Sequence, residues 1–581
     1  MRRFAFYGLA LSLMATPLAA QDSADGQLAA LADRWYQQQL RDNVQIEQAD
    51  GSTEPGDRLP EVTPGAQSER LSIARNILAR LDAIDPAALS ADARIDAEVL
   101  RTLLEEQIGD ARFREWEMPF DSDSDFWSYL AARRPLDDAE DYRRYIARIR
   151  DLSRYFGEHI ANARAGLARG FSVPAITLEG RDASIAAHVV DDPEKSPFWG
   201  AFAAMPARIP AAEAAELEAE ARRAITESAI PAFRALLAFY RDEYVPGARK
   251  SMAAEAMPDG KAYYAQQIRQ YTTLDLSAEE IHRIGLAEVA RITAEMERVK
   301  TEARFTGDLK RFIAFLRTDP SFVAKTPDEL MGVSAYAAKR VDDVIGDYFG
   351  LLPRKRFGIR PVDPAIAPFY TAGRGGLDAC QMNTYDLPSR PLYNIPALTL
   401  HECAPGHSFQ MALALEREAA PKFRRQTYFS GFGEGWGLYV EWLGNEMGIY
   451  RTPYERFGQL SYEMWRAARL VIDTGIHSKG WSRERAVAYL ADHTALSRRE
   501  VETEVDRYIS WPGQALAYKL GEITLRRVRA KAEAALGPRF DIRKFHDVVL
   551  ALGSVPLPVL EQRIDAFIAD GGQGLPGVTY S

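Results

Sequence analysis

The dipeptide Pro405-Gly406 interrupts a stretch that otherwise reads as helix, and it falls between two histidines. The apolar run Ile395-Pro396-Ala397-Leu398-Thr399-Leu400 leads into His401-Glu402-Cys403-Ala404-Pro405-Gly406-His407. Two of the chain's eight histidines stand here, six residues apart, with a carboxylate directly after the first. On an unbroken helix a step of six turns the second side chain by about 240°, away from the first. The familiar zinc spacing H-E-x-x-H instead keeps both imidazoles on one face. Pro405 cannot donate to the carbonyl of His401 and its ring clashes there, so the helix has to kink or open. Gly406 reaches conformations closed to other residues. A two-residue bulge at Pro405-Gly406 then brings His407 back toward His401. With that bulge, His401 and His407 are candidate metal ligands and Glu402 a candidate general base.

A third ligand comes from another element. Gly433-Glu434-Gly435-Trp436-Gly437-Leu438-Tyr439-Val440-Glu441 carries two acids seven residues apart. On a helix they share a face, separated by a rise of about 10 Å, so one metal takes only one of them. Glu434 is assigned as the ligand, and Glu441 to a supporting or substrate contact. Arg466, Arg469, Asp473 and His477 form a polar stripe opposite Met464, Ala468 and Val471. That stripe is either a solvated face or a cleft wall on which Arg469 or Arg507 grips a peptide carboxylate.

Composition narrows the class. At 581 residues the chain exceeds a single core, and 47% apolar with 27% charged residues fits a globular protein. A net charge of −10 disfavours nucleic acid as partner. Residues 1–20 read as a signal peptide: Arg2 and Arg3, an apolar core, then Pro17-Leu18-Ala19-Ala20. The mature protein is therefore expected in the periplasm or secreted, with no stable membrane anchor after cleavage. Cys380 and Cys403 are the only cysteines. In an oxidising compartment they form a disulfide; otherwise they are two buried thiols, and a nucleophilic Cys403 is a distant third reading.

Helical periodicity covers residues 28–41, 69–84, 91–108, 137–170, 211–244, 309–317 and 327–348. Ser277 with Glu280 forms a capping box opening another helix. The pattern lapses over 247–259, which divides an N-terminal lobe (21–250) from a catalytic lobe (251–581). Residues 352–390 change to Pro, Gly and Tyr with short strand-like runs, and 370–385 is expected as an extended edge beside the cleft.

H-E-x-x-P-G-H followed by E-G-W-x-L-Y-x-E resembles the bacterial family known as domain of unknown function 885. The stretches 469–477 and 507–518 resemble its signatures as well. The resemblance implies a mainly α, two-lobed zincin-like metallopeptidase of the gluzincin type, with a deep central cleft and a small β element near the active site. It implies Zn2+ as cofactor and a peptide as substrate. In that frame Glu402 takes a proton from zinc-activated water, and Tyr508, with Tyr518 and His477 as alternatives, donates to the oxyanion. Asn383 is expected to bond the substrate backbone. A zinc hydrolase of a non-peptide amide or ester, and a non-catalytic peptide- or metal-binding protein, are the competing readings.

Overall fold

The structure is a computed structural model; it describes residues 23–42, 56–120, 125–132, 135–364, 367 and 371–580. The expected signal peptide and Tyr370 lie outside those residues. With 69% helix and 2% strand, the architecture is set by helix packing. No described helix is long and apolar enough to cross a membrane.

The helices used below start where local chemistry lets them. Helices α1 (Ala24–Asp42), α2 (Pro64–Asp82) and α3 (Ala91–Phe113) come first. In α2 the Thr63 side chain accepts from Ala66 N and Pro64 opens the helix; Ser90 caps α3. Helix α4 (Ala139–Ala168) begins at an Asp138–Asp141 capping box. Then follow α5 (Gly260–Thr272) and α6 (Ala278–Glu302), which opens at the Ser277–Glu280 box. Helix α7 (Pro327–Tyr348) is capped by Thr326, with Pro327 at its first position.

The segment of changed composition forms a small sheet in the order β1-β3-β2, built from β1 (Gly358–Pro361), β2 (Gly373–Arg374) and β3 (Ala379–Met382). Strand β3 pairs in parallel with β1 and antiparallel with β2, Gly373 facing Met382. Helix returns with α8 (Ile395–Glu402) and α9 (His407–Leu415), followed by α10 (Ser430–Glu446), α11 (Pro453–His477), α12 (Arg498–Ser510) and α13 (Ala517–Leu536).

Every residue of α11 from Phe457 to His477 is buried, so this helix is the axis of the C-terminal half. Helix α6 lies against it so closely that a Cβ on Gly285 would come within 2.7 Å of Leu470 Cβ. The polar stripe expected on α11 is neither solvated nor an open wall: Arg466, Arg469, Asp473 and His477 are at most 4% exposed. Helices α1–α3 bury Leu28, Leu31, Ile77 and Leu100 in the same cluster as α10 and α11. Residues of α4 and the segment up to Ala248 form a second cluster, and a third, around α5, includes Phe113, Tyr264, Leu470 and Leu520.

Candidate metal centre

Helix α8 stops at Glu402 and α9 starts at His407, so the four residues Cys403–Gly406 form a turn between two helices rather than a two-residue bulge within one. Two contacts from distant sequence and one close approach to the preceding helix fix this turn. Cys403 is joined to Cys380 of β3 by a disulfide, so the pair of unlinked thiols and the nucleophilic reading of Cys403 both fall away. Trp436 Nε1 of α10 donates to Pro405 O at 2.8 Å. Gly406 packs so tightly under α8 that a Cβ there would meet His401 O at 1.9 Å. The result is that His401 and His407 face each other edge to face, with ring centroids 4.7 Å apart.

Helix α10 supplies the acid. Glu434 Oε2 lies 3.5 Å from His401 Nε2 and 3.3 Å from His407 Nε2. Ligand atoms of His401, His407 and Glu434 lie within 4.8 Å of one another. Glu441 is fully buried, and its Oε1 lies 2.7 Å from His401 Nδ1. That contact puts the imidazole proton on Nδ1 and turns Nε2 toward Glu434 and His407. Arg466 Nη2 approaches the same carboxylate at 3.4 Å.

The glycines of α10 make this packing possible. A glycine inside a helix costs up to about 1 kcal/mol relative to alanine, so four at alternate positions call for a reason. A Cβ on Gly431 or Gly435 would strike Thr272 O or Gly521 Cα, at 3.0 and 2.6 Å. On the other side, a Cβ on Gly437 would lie 2.6 Å from His401 Cε1, and one on Gly433 would lie 2.3 Å from Tyr428 Cε2. One pair of glycines admits α5 and α13, and the other admits the site.

The electrostatics match the geometry. Burial opposes a charge on His401, yet bonds from Glu434 and Glu441 outweigh it and raise its pKa to about 10. Burial likewise opposes a charge on Glu434, but His407 and His401 hold its carboxyl well below the usual range. Tyr428 is pushed well above its usual pKa, first by burial of its hydroxyl and then by Glu434, to which that hydroxyl is bonded.

Glu402 sits on the sheet side of the cluster. Gly375 N, in the turn after β2, donates to Glu402 Oε2 at 2.6 Å. Gly376 N donates to Ser408 Oγ at 3.1 Å, and Ser408 Oγ donates to Glu402 O at 3.0 Å. The outer strand β2 is thereby fastened to the end of α8.

Other sequence candidates lie elsewhere or have other tasks. Tyr508 accepts from Trp465 Nε1 at 2.8 Å and from Arg469 Nε at 2.9 Å, and it is bonded to Glu504. Its hydroxyl is therefore surrounded by three protein partners. His477 accepts from Ala254 N at 3.1 Å through Nδ1 and donates to Tyr508 O at 2.8 Å. Burial lowers its pKa to about 3, so it is a neutral brace. Asn383 donates to Ala367 O and Thr371 O and accepts from Tyr385 N, which shapes the loop around β2. Tyr518 lays its ring against the Arg469 guanidinium at 4.4 Å, with Arg507 Nη2 at 3.5 Å from its hydroxyl. Arg469 is 2% exposed and bonds Glu504 at 2.9 Å, so it is enclosed. Arg507 keeps 20% of its side chain exposed and bonds Gln514 Oε1 at 2.9 Å. The sequence reading did not single out Tyr428 or Gly375; the alternating glycines at 431, 433, 435 and 437 were the available signal for the first.

These features define a class: a mainly helical protein in which a broken helix and a glycine-rich helix bring two imidazoles and a carboxylate together, with a second carboxylate behind one imidazole. The chain belongs to the family described as bacterial protein of unknown function (DUF885), which it matches over residues 47–564. No curated protein matches it. Among solved structures it is similar to a chain described as "putative lipoprotein" from Colwellia psychrerythraea. That likeness has a TM-score of 0.85 at 24% identity and covers 94% of this chain and 100% of that one. A second, described as "putative lipoprotein of unknown function" from Shewanella oneidensis, has a TM-score of 0.68 at 18% identity, covering 93% and 99%. At these identities the likeness shows the shared fold.

Proposed function

We propose that this protein is an exported zinc-dependent hydrolase of the zincin-like group, acting on small or unstructured peptides. The carrying observation is the convergence of His401 Nε2, His407 Nε2 and Glu434 on one point, with Glu441 on the far nitrogen of His401. Two imidazoles and one carboxylate are the donor set of catalytic zinc sites that keep a position open, and an acid behind a ligating histidine is their usual support. His401, His407 and Glu434 would hold the ion, which supplies Lewis acidity, polarising a carbonyl and acidifying water.

The rest of the chemistry falls to the chain. Gly375 holds one oxygen of Glu402, leaving the other to take a proton from water and return it to the departing amine. Strand β2, at the edge of the sheet and tied to Glu402, would receive an extended peptide as an added strand. Export is supported by the leader-like residues 1–20 and by the disulfide, which persists in oxidising compartments. The two similar structures carry lipoprotein descriptions, in keeping with an exported family.

The test is metal analysis of the purified chain together with mass spectrometry of peptide-library digests. One zinc per chain and cleavage abolished in Glu402→Gln at unchanged zinc content are expected. Zinc-loaded protein that cleaves amides or esters of small metabolites but no peptide would keep the hydrolase and replace the substrate class. A chain that takes up no zinc would end the reading.

A further inference from the structure

Glu441 is 0% exposed, and a carboxylate sealed in this way is costly unless a cation stands against it. Its Oε1 meets two groups, His401 Nδ1 at 2.7 Å and Arg466 Nη2 at 3.4 Å. Its Oε2 has no hydrogen-bond partner among the described residues. Arg466 is buried as well, and most of its contacts come from its own helix α11. Nη1 donates to Tyr462 O at 3.3 Å, and the guanidinium lies over the rings of Tyr462 and Trp465, at 4.8 and 4.5 Å. The acid that meets it from across the helix interface is Glu441 of α10. Neighbouring acids are already engaged. Glu500, which shares the surroundings of the Tyr462 hydroxyl with Arg466 and Glu441, accepts from Arg390 at 2.9 Å. Glu504 accepts from Arg469 at 2.9 Å.

We propose that Arg466 is a positioning residue of the metal centre: it holds the Glu441 carboxylate against His401 Nδ1 and so sets the affinity for zinc. This inference rests on the zinc reading above and deepens it. The terminal torsion of a glutamate is soft, so a single bond to a ring edge leaves the carboxylate free to turn. The guanidinium supplies a second point of attachment, and its charge offsets the burial of another acid so close to Glu434. An imidazole whose Nδ1–H is held by a fixed carboxylate keeps Nε2 aimed at the ion and is the better donor. Stacking on two rings fixes where the guanidinium sits. A lysine ammonium on its flexible stem would not reproduce that placement.

The experiment is a double-mutant cycle read by chelator competition for zinc. Helical circular dichroism and urea midpoints of the zinc-free chains control for folding. The chains are wild type, Arg466→Met, Arg466→Lys, Glu441→Gln, and each Arg466 substitution combined with Glu441→Gln. The expected zinc affinity is weaker by about tenfold or more in Arg466→Met and by about threefold or more in Arg466→Lys. In the Glu441→Gln background either Arg466 substitution is expected to change affinity by less than about twofold. A role confined to packing would cost the same in both backgrounds, and that result overturns the inference. Wild-type affinity in Arg466→Met overturns it too. Arg466→Met leaves a buried carboxylate without its cation; if that chain does not fold, the lysine cycle decides, and wild-type affinity there overturns the inference. A wild-type chain that takes up no zinc removes the zinc reading and this inference together. A zinc-binding wild type whose affinity is indifferent to Arg466 removes this inference alone.

Discussion

The carboxylate of Glu441 meets Nδ1 of His401 at 2.7 Å while Nε2 of the same ring faces Glu434 at 3.5 Å. One imidazole thus lies along α10 between two acids seven residues apart, and Gly437 is the floor beneath it. Residues three and seven positions beyond Glu434 share its face of the helix, so this arrangement follows from helical geometry once the ring is seated there. The contact from Glu441 decides which nitrogen of His401 is available to an ion.

Glu441→Gln should weaken zinc binding by about 10- to 100-fold, because a neutral amide orients the ring less firmly and makes it a poorer donor. Competition with a chromogenic chelator measures this. Affinity equal to wild type would remove Glu441 from the supporting role. Gln is the better probe than Ala, since it keeps a carbonyl oxygen for Arg466 and fills the buried space that Ala would leave empty.

Gly437→Ala should displace the His401 ring without touching any charge. The added methyl would sit 2.6–2.8 Å from three ring atoms, a distance that neither helix backbone nor buried imidazole can absorb. We expect reduced zinc occupancy on metal analysis with helical circular dichroism retained. Full occupancy would mean that α8 shifts to make room.

The Cys380–Cys403 disulfide closes a short loop and fastens β3 to the residue after Glu402. The paired substitution to Ala should lower stability by about 3 kcal/mol in urea unfolding, by the loop-entropy relation. Both cysteines are 0% exposed, so iodoacetamide should label neither in the native, unreduced chain. Labelling without prior reduction would show that the bridge is absent.

Asp473 gives a pH dependence of definite sign. Burial raises its pKa from 3.8 to about 7, against bonds from Tyr264 and Gly513 N. Between those values the folded state holds a proton that the unfolded state has released, so this contribution to stability falls as pH rises through the window. Asp473→Asn should therefore gain on wild type between pH 5 and pH 8, by an amount on the order of a few kcal/mol. Urea midpoints at the two pH values measure it; a pH-independent difference would contradict the burial argument.

Several elements were legible in the chain itself. The segment 327–348 and the Ser277 capping box need only apolar spacing and a cap, both local, and the structure has α7 at Pro327–Tyr348 and α6 opening at Ser277. The break between His401 and His407 was equally local, because Pro405 removes a donor wherever it stands. The polar stripe of α11 was not legible. Periodicity reports which residues share a face, and Arg469 and Asp473 are buried because other helices cover that face.

By itself, then, the order of residues determined where helices begin, where one is broken, and that Glu434 and Glu441 stand on one side of their helix. Only the tertiary structure decided what those sides meet. The turn Cys403–Gly406 takes its form from Cys380 and Trp436, and the Tyr508 hydroxyl is enclosed by Trp465 and Arg469 from another helix. The physical reason is range: dihedral preferences and caps act over a few residues, whereas ring packing, desolvation and shared hydrogen bonds depend on neighbours that the chain supplies from far away.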